Sequence, residues 1–248
     1  MFLFLMFMQP LSCCSWGVCC LPSIKDYLGG SHNPLNVGRS FVHDVRFYAN
    51  NPFYFEPNGI WLYCGCQGSG KSLSAVKTVK KILAEYPAAK LCTNLPVKGI
   101  SGYEVIPFTG YEDLKITNGI YGIIFLIDEM QVLWNSLESK NIPISEIALF
   151  AQNRKDRRVI IGTSQVYSRV AKPIREQLKY VILCHNFLKY VQINTLVDPN
   201  AEGYTGENNG ELEGEVLKKF IWFHSPEDYD SYDTYAKVER INRKVGLK

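Results

Sequence analysis

Ile60-Trp61-Leu62-Tyr63-Cys64-Gly65-Cys66-Gln67-Gly68-Ser69-Gly70-Lys71-Ser72 is the stretch from which the rest of the chain can be read. Residues 60–64 form a short, uncharged apolar run, which predicts a strand buried on both faces. From Lys71 to Tyr86, the side chains Leu73, Val76, Val79, Ile82 and Leu83 recur on one helical stripe, and Pro87 stops the pattern. Between strand and helix lies G-x-x-x-x-G-K-S, the spacing of a phosphate-binding loop in the context that such a loop requires. Gly65, Gly68 and Gly70 permit a tight backbone path that turns successive N–H groups inward, those of Cys66, Gln67 and Ser69 among them. Those donors and the positive end of the helix form a cradle for phosphate oxygens. Lys71 is expected to reach the β and γ phosphates as a point charge, and Ser72 to ligate Mg²⁺ through its hydroxyl. ATP and Mg²⁺ are therefore the expected cofactors. The competing reading is a glycine-rich turn that holds no nucleotide.

Downstream, Gly122-Ile123-Ile124-Phe125-Leu126-Ile127 is a second buried run, and it ends in Asp128-Glu129. An acid at the tip of such a strand suits the hydration shell of a metal, so Asp128 is expected to join Ser72 there. Glu129 can polarise an attacking water, a task that a small-molecule kinase does not need. Its plainer reading is an acid that opens the next helix and favours the helix dipole. A third run, Val159–Thr163, leads into Ser164-Gln165. Gln165 can both donate and accept, so it can link the γ-phosphate or a water to a neighbouring element; otherwise it is an exposed loop glutamine. Ahead of that strand stands Gln152-Asn153-Arg154-Lys155-Asp156-Arg157-Arg158. An arginine of this segment, with Arg154 as the candidate, is expected to stabilise transition-state charge in a neighbouring subunit. The plainer reading is a solvated, charged helix end.

Working outward, strands are expected at Ile60–Cys64, Lys90–Leu95, Glu104–Pro107, Gly122–Ile127, Val159–Thr163 and Tyr180–Leu183. Helices are expected at Lys71–Tyr86, Tyr111–Ile116, 129–152 with a break near Pro143, and Val170–Leu178. Strands alternating with helices imply an α/β fold, with a mainly parallel sheet covered by helices on both faces. After Cys184 the pattern changes to two long strands, Phe187–Val197 and Val216–Phe223, which make a C-terminal β-hairpin extension. Residues 198–215 between them carry six acids and no bases, as a solvated loop does. The last twelve residues carry five bases and one acid. Four regions follow: an apolar, Cys-rich segment at 1–24, a turn-rich lead-in at 25–56 with a strand candidate at Phe53-Tyr54-Phe55, an ATPase core at 57–185, and the hairpin and basic tail at 186–248.

The chain has 248 residues, 46% hydrophobic and 21% charged, which excludes wholesale disorder, collagen and a coiled-coil rod. Its 27 bases against 24 acids give a net charge of +3, too small to mark a nucleic-acid binder by itself. The bases are concentrated, however: residues 154–179 hold eight bases and two acids, a segment suited to phosphates of DNA or of nucleotide across a subunit interface. Four of the eight cysteines crowd the first 20 residues, and Cys64, Cys92 and Cys184 sit in apolar strand-like runs. The latter three read as free, buried thiols, not as a disulfide framework or a zinc site. Residues 1–24 begin with the apolar Met1–Met8 but have no basic residue before Lys25, unlike a secretory signal. Three readings remain: a disordered or mispredicted start, a weak membrane-surface anchor with acylated cysteines, and, last, a cleaved signal.

The order strand–GxxxxGKS, strand–Asp128-Glu129, Arg-rich segment–strand–Gln165 resembles the additional-strand, catalytic-glutamate (RecA/ASCE-type) P-loop NTPases with their Walker motifs. Within them the chain is most similar to the FtsK–HerA superfamily, above all to the zonula occludens toxin-like N-terminal domain of phage proteins and to viral genome-packaging ATPases. Cys92-Thr93-Asn94-Leu95 resembles that family's threonine-asparagine strand end, Asn153-Arg154-Lys155 lies where relatives carry histidine-arginine-histidine, and Pro173-Ile174-Arg175 matches relatives as well. The resemblance covers about residues 57–185. It implies a phage or virus ATPase in a homo-oligomeric ring, with DNA, capsid or assembly proteins as partners, in the host cytoplasm with membrane or virion association. Filamentous-phage members carry a membrane helix after the ATPase domain, and no such run occurs here, so DNA packaging or translocation stands ahead. The alternative is a membrane-linked virion assembly or export ATPase that uses residues 1–24, and a nucleotide or small-molecule kinase comes last.

Overall fold

A computed structural model of the chain describes residues 34–199 and 215–232. The expectations for residues 1–24, for most of the acidic stretch and for the basic tail therefore lie outside the described residues. Two compact units divide the chain, Met1–Asn50 and Asn51–Lys248. In the first, Pro34–Asn50 forms helix α1, which corrects the expectation of a turn-rich lead-in. Asn33-Pro34 reads as a turn signal, but proline is also favoured at the first helical position, where its missing N–H is not needed.

The second unit contains β1 (Gly59–Cys64), α2 (Lys71–Glu85), β2 (Lys90–Thr93), β3 (Val105–Pro107), β4 (Ile123–Ile127), α3 (Met130–Leu133) and α4 (Ile144–Ala151). It continues with β5 (Arg158–Ser164), α5 (Lys172–Arg175), β6 (Leu178–Phe187), β7 (Val191–Asp198), β8 (Glu215–Phe223) and α6 (Pro226–Tyr229). All eight strands join one sheet in the order β3-β2-β4-β5-β1-β6-β7-β8. Pairing is parallel from β3 through β6 and antiparallel across β6–β7–β8. The carboxyl ends of β1, β4 and β5 consequently lie side by side, where open α/β sheets build their sites.

Core residues fill both faces of the sheet. On one, α2 lays Val76, Val79 and Leu83 over Leu91, Ile124, Leu126, Val159 and Ile161. On the other, Met130, Trp134, Phe150 and Ile174 cover Ile60, Leu62, Ile123, Phe125 and Ile160. Burying each such side chain is worth about 1.5–3 kcal/mol, so the two-faced core holds the strand ends in place.

Three local expectations are corrected. Residues 129–152 do not form a long helix: α3 ends at Leu133, a 3₁₀ turn spans Ser136–Asn141, and α4 follows. The Trp134 carbonyl accepts instead from the Ala171 N–H at 2.9 Å, and Asn135 bridges Val170, so the backbone leaves the helix to meet the segment after β5. Phe53-Tyr54-Phe55 is not a strand. The expected strand from Phe187 is broken by a turn at Leu188 and Lys189, whose φ values are 53° and 64°. Neither residue is one of the glycine, asparagine or aspartate types that announce such a turn.

Candidate functional site

The loop from Gly65 to Lys71 joins β1 to α2 at the carboxyl edge of the sheet. Cys66, Gln67 and Gly68 are exposed, whereas Ser69 is buried beneath them. Gly70 caps α2 with φ at 79°, a left-handed conformation in which a side chain is strained. The Lys71 ammonium donates to the Cys66 carbonyl at 2.9 Å, and so lies across the loop that it would serve.

Asp128 follows β4 and faces this loop. Its Oδ1 accepts from the Ser72 hydroxyl at 2.8 Å and from the Thr163 hydroxyl at 2.7 Å. The Thr163 oxygen in turn accepts from the Glu129 N–H at 3.0 Å. Asn94, just past β2, fixes the same turn from the other side. Its amide donates to the Asp128 carbonyl at 3.0 Å, and its oxygen accepts from the Asp128 N–H at 2.8 Å. One backbone unit is thereby clamped at both polar groups, which removes the freedom that a strand end ordinarily keeps.

Glu129 sits at φ 52°, ψ 51°, in the left-handed region. A non-glycine residue there costs on the order of 1–3 kcal/mol and persists only where the surroundings enforce it. Here Asn94, Thr163 and the burial of Met130 do so. Met130 is received by Gly162 of β5, where an added Cβ would stand 2.5 Å from the methionine sulphur. The conformation aims the Glu129 carboxylate at Gln165, whose Nε2 lies 3.5 Å from its Oε1. Both residues line a cavity of about 670 Å³ together with Asn135 and Arg169. Ser72, Asp128, Glu129 and Gln165, all proposed from sequence, thus meet at one place.

Thr163 and Asn94 complete that place without having been assigned roles from sequence, and Arg169 joins them as one of the bases of the 154–179 segment. A lone threonine, asparagine or arginine at a strand end or in a loop carries no distinguishing signal. Only the threonine-asparagine resemblance pointed at Asn94.

The arginine segment divides. Arg154 and Lys155 are exposed and lie before β5, at the amino ends of the strands and away from their own phosphate loop. Arg157 stacks over the Tyr54 ring, 4.2 Å from guanidinium carbon to ring centre. Arg158 is 0% exposed. It pairs with Asp156 at 2.9 Å, donates to Asn153 Oδ1 at 2.7 Å, and bonds the Leu114 and Leu149 carbonyls. Burial pushes its pKa down while Asp156 opposes that shift. Arg158 is a core bracket and is withdrawn from any role across a subunit boundary. The basic stretch is therefore not one continuous surface.

Cys64, Cys92 and Cys184 are buried free thiols and Cys66 is an exposed one. Burial pushes the Cys92 and Cys184 thiols up to about 12 and raises Cys64 further. These three are inert packing groups at neutral pH.

The residues present suit a nucleotide with its metal. The Ser69 hydroxyl is buried in the loop with no partner among the described residues. Ser72 and Asp128 offer two hard oxygen donors at the mouth of the loop, the type that magnesium takes. Lys71 supplies the charge that a polyphosphate needs.

No protein-family model matches the chain, and no curated protein matches it. Solved structures of similar fold include the N-terminal domain of zonular occludens toxin from Neisseria meningitidis, 15% identical, covering 72% of this chain and 100% of that one, with a TM-score of 0.48. The genome packaging NTPase B204 from Sulfolobus turreted icosahedral virus 2, in complex with AMPPCP, is 12% identical over 69% of this chain and 99% of that one, TM-score 0.46. The flagellar accessory protein FlaH from Methanocaldococcus jannaschii is 13% identical over 66% of this chain and 84% of that one, TM-score 0.42.

Proposed function

We propose that the chain is a magnesium-dependent ATP hydrolase that drives DNA packaging or translocation as an assembly of identical subunits. The observation that carries the hydrolase reading is the connected set Ser72–Asp128–Thr163–Glu129–Gln165. One carboxylate is hydrogen-bonded to the loop serine, and the next lines a cavity with Gln165. Ser72 and Asp128 would hold Mg²⁺, which supplies charge neutralisation at the phosphates. Lys71 and the loop N–H groups bind and orient the β and γ phosphates. Glu129 accepts a proton from the attacking water, and Gln165 holds that carboxylate in line. The products are ADP and inorganic phosphate.

A strained glutamate held in place by Thr163 and Asn94 favours hydrolysis over transfer to a small acceptor. The DNA part of the reading is supported by the exposed bases Arg169 and Lys172 after β5, and by the family resemblance. Arg154, at the edge opposite to its own phosphate loop, suits a role at a neighbouring subunit's site.

The test is phosphate release by the purified chain with magnesium and ATP, first alone and then with single- or double-stranded DNA, and with Glu129→Gln as control. Magnesium-dependent release that Glu129→Gln abolishes and DNA stimulates is expected. Release that Glu129→Gln leaves intact would overturn the catalytic assignment, and indifference of the assembled protein to both DNA forms would overturn the motor.

A further inference from the structure

Gln192 lies on β7, beyond the span that the family resemblance covers, yet it is wholly buried against the phosphate loop. Its Nε2 donates to the Ser69 carbonyl at 2.9 Å and to Asn194 Oδ1 at 2.9 Å. Two acceptors around one nitrogen fix the orientation of the amide. The amide oxygen is thereby turned to Gly70 and to His224 Nε2, which stands 3.3 Å away. A Cβ on Gly70 would fall 2.0 Å from that oxygen, so the loop glycine and the glutamine are fitted to one another.

The contact is not isolated. Asn194 Oδ1 also accepts from the Ser74 hydroxyl of α2 at 3.3 Å. One turn later, Lys77 of α2 reaches Asp228 after β8 at 3.0 Å and stands 3.8 Å above the Trp222 ring. The antiparallel strands and the segment after them therefore grip both the last loop residues and the first two turns of the helix. They do so on the side away from Asp128.

We infer that Gln192 is a positioning residue for the nucleotide's phosphates. It holds the Ser69 carbonyl outward, so that the neighbouring loop N–H groups point inward, and it ties the shape of the loop to the β7–β8 hairpin. Nucleotide binding and hairpin rigidity are then coupled in both directions, since a ligand that favours one state of the loop must favour the matching state of the strand. The inference rests on the nucleotide reading of the loop.

The experiment compares the wild-type full chain with Gln192→Met, which keeps the volume and removes the amide. Fluorescent ATP-analogue binding, steady-state phosphate release and thermal melting are read on both. Loss of one such hydrogen bond is expected to weaken nucleotide binding about 3- to 10-fold, with KM rising in step and kcat changing less than about 2-fold. Equal affinity in a folded Gln192→Met overturns the inference alone; a wild-type chain that binds no nucleotide overturns the reading beneath it.

Hydrogen exchange on the wild-type chain, with and without magnesium–ATPγS, does not depend on the variant's folding. Added protection at residues 191–194 together with 65–74 is expected. Protection confined to 65–74 would refute the coupling.

Discussion

Thr163→Val is the most discriminating single change. Valine keeps the β-branched shape of threonine in the buried end of β5, so the change is confined to replacing the hydroxyl by a methyl group. Two bonds go with it: the 2.7 Å donation to the Asp128 carboxylate and the 3.0 Å acceptance from the Glu129 N–H. A bond to a charged group is worth about 1.5–3 kcal/mol and a neutral one about 1 kcal/mol, so some 2.5–4 kcal/mol of local order is removed. Much of this holds Glu129 in its left-handed conformation, which relaxes once its N–H is released. If about half to three-quarters of that energy serves the reacting geometry, kcat falls about 10- to 100-fold. Nucleotide affinity should hold, because Lys71 and the loop amides are untouched. Thr163→Ser restores the hydroxyl and should recover the rate to within about 3-fold, given one intact bond of each type. Coupled phosphate-release kinetics with separate kcat and KM decide the matter. A Thr163→Val enzyme at the wild-type rate, or a serine variant as poor as the valine one, would refute the reasoning.

Other outcomes are expected on the same physical grounds. Glu129→Gln should bind ATP as the parent does and lose about 10²- to 10⁴-fold in turnover, the usual contribution of a positioned base; equilibrium binding beside single-turnover hydrolysis checks it. Lys71→Ala should weaken nucleotide binding about 10- to 150-fold through loss of charge-assisted bonds worth about 1.5–3 kcal/mol, measurable by titration calorimetry. Arg158→Leu should cost about 3 kcal/mol by stranding the Leu114 and Leu149 carbonyls and Asp156, and so lower the melting midpoint by about 6–12 °C; an unchanged melt would sink the bracket. Alkylation of the folded chain at pH 8, followed by peptide mapping, should modify Cys66 well before Cys64, Cys92 and Cys184, whose thiols burial keeps protonated. Bound nucleotide should slow the Cys66 reaction, and equal labelling of all four would contradict the burial argument.

How far the sequence could be read follows from where each residue stands. Lys71, Ser72, Asp128, Glu129 and Gln165 were legible because each directly follows an apolar run or a glycine pattern that announces a strand end. Thr163 and Gln192 were not, and Asn94 was marked only by the family resemblance, because their work is done by hydrogen bonds across the sheet. Those bonds depend on β4 lying between β2 and β5, and on β6 and β7 lying beside β1, an order that chain succession does not reveal. Arg158 shows the converse: a base in a charged run looks solvated until three carbonyl and carboxamide oxygens surround it. The turn at Leu188-Lys189 lacks any turn residue and is enforced by the pairing of Phe187 with Val191. Helix α1 was masked by a proline that can begin a helix as readily as it can end one.

The central position of β1 also has a bearing on how the chain is made. Its sheet partners on both sides, β5 and β6, are translated roughly 90 residues or more after it, about 5–20 s later at ordinary synthesis rates. Throughout that interval the phosphate loop leaves the ribosome attached to an apolar strand with neither neighbour to pair with. The nascent chain must keep Ile60–Cys64 from sticking elsewhere, and nucleotide cannot assist, because the walls that shape its cradle have not yet been synthesised. The element whose sequence is easiest to recognise is among the last to become competent.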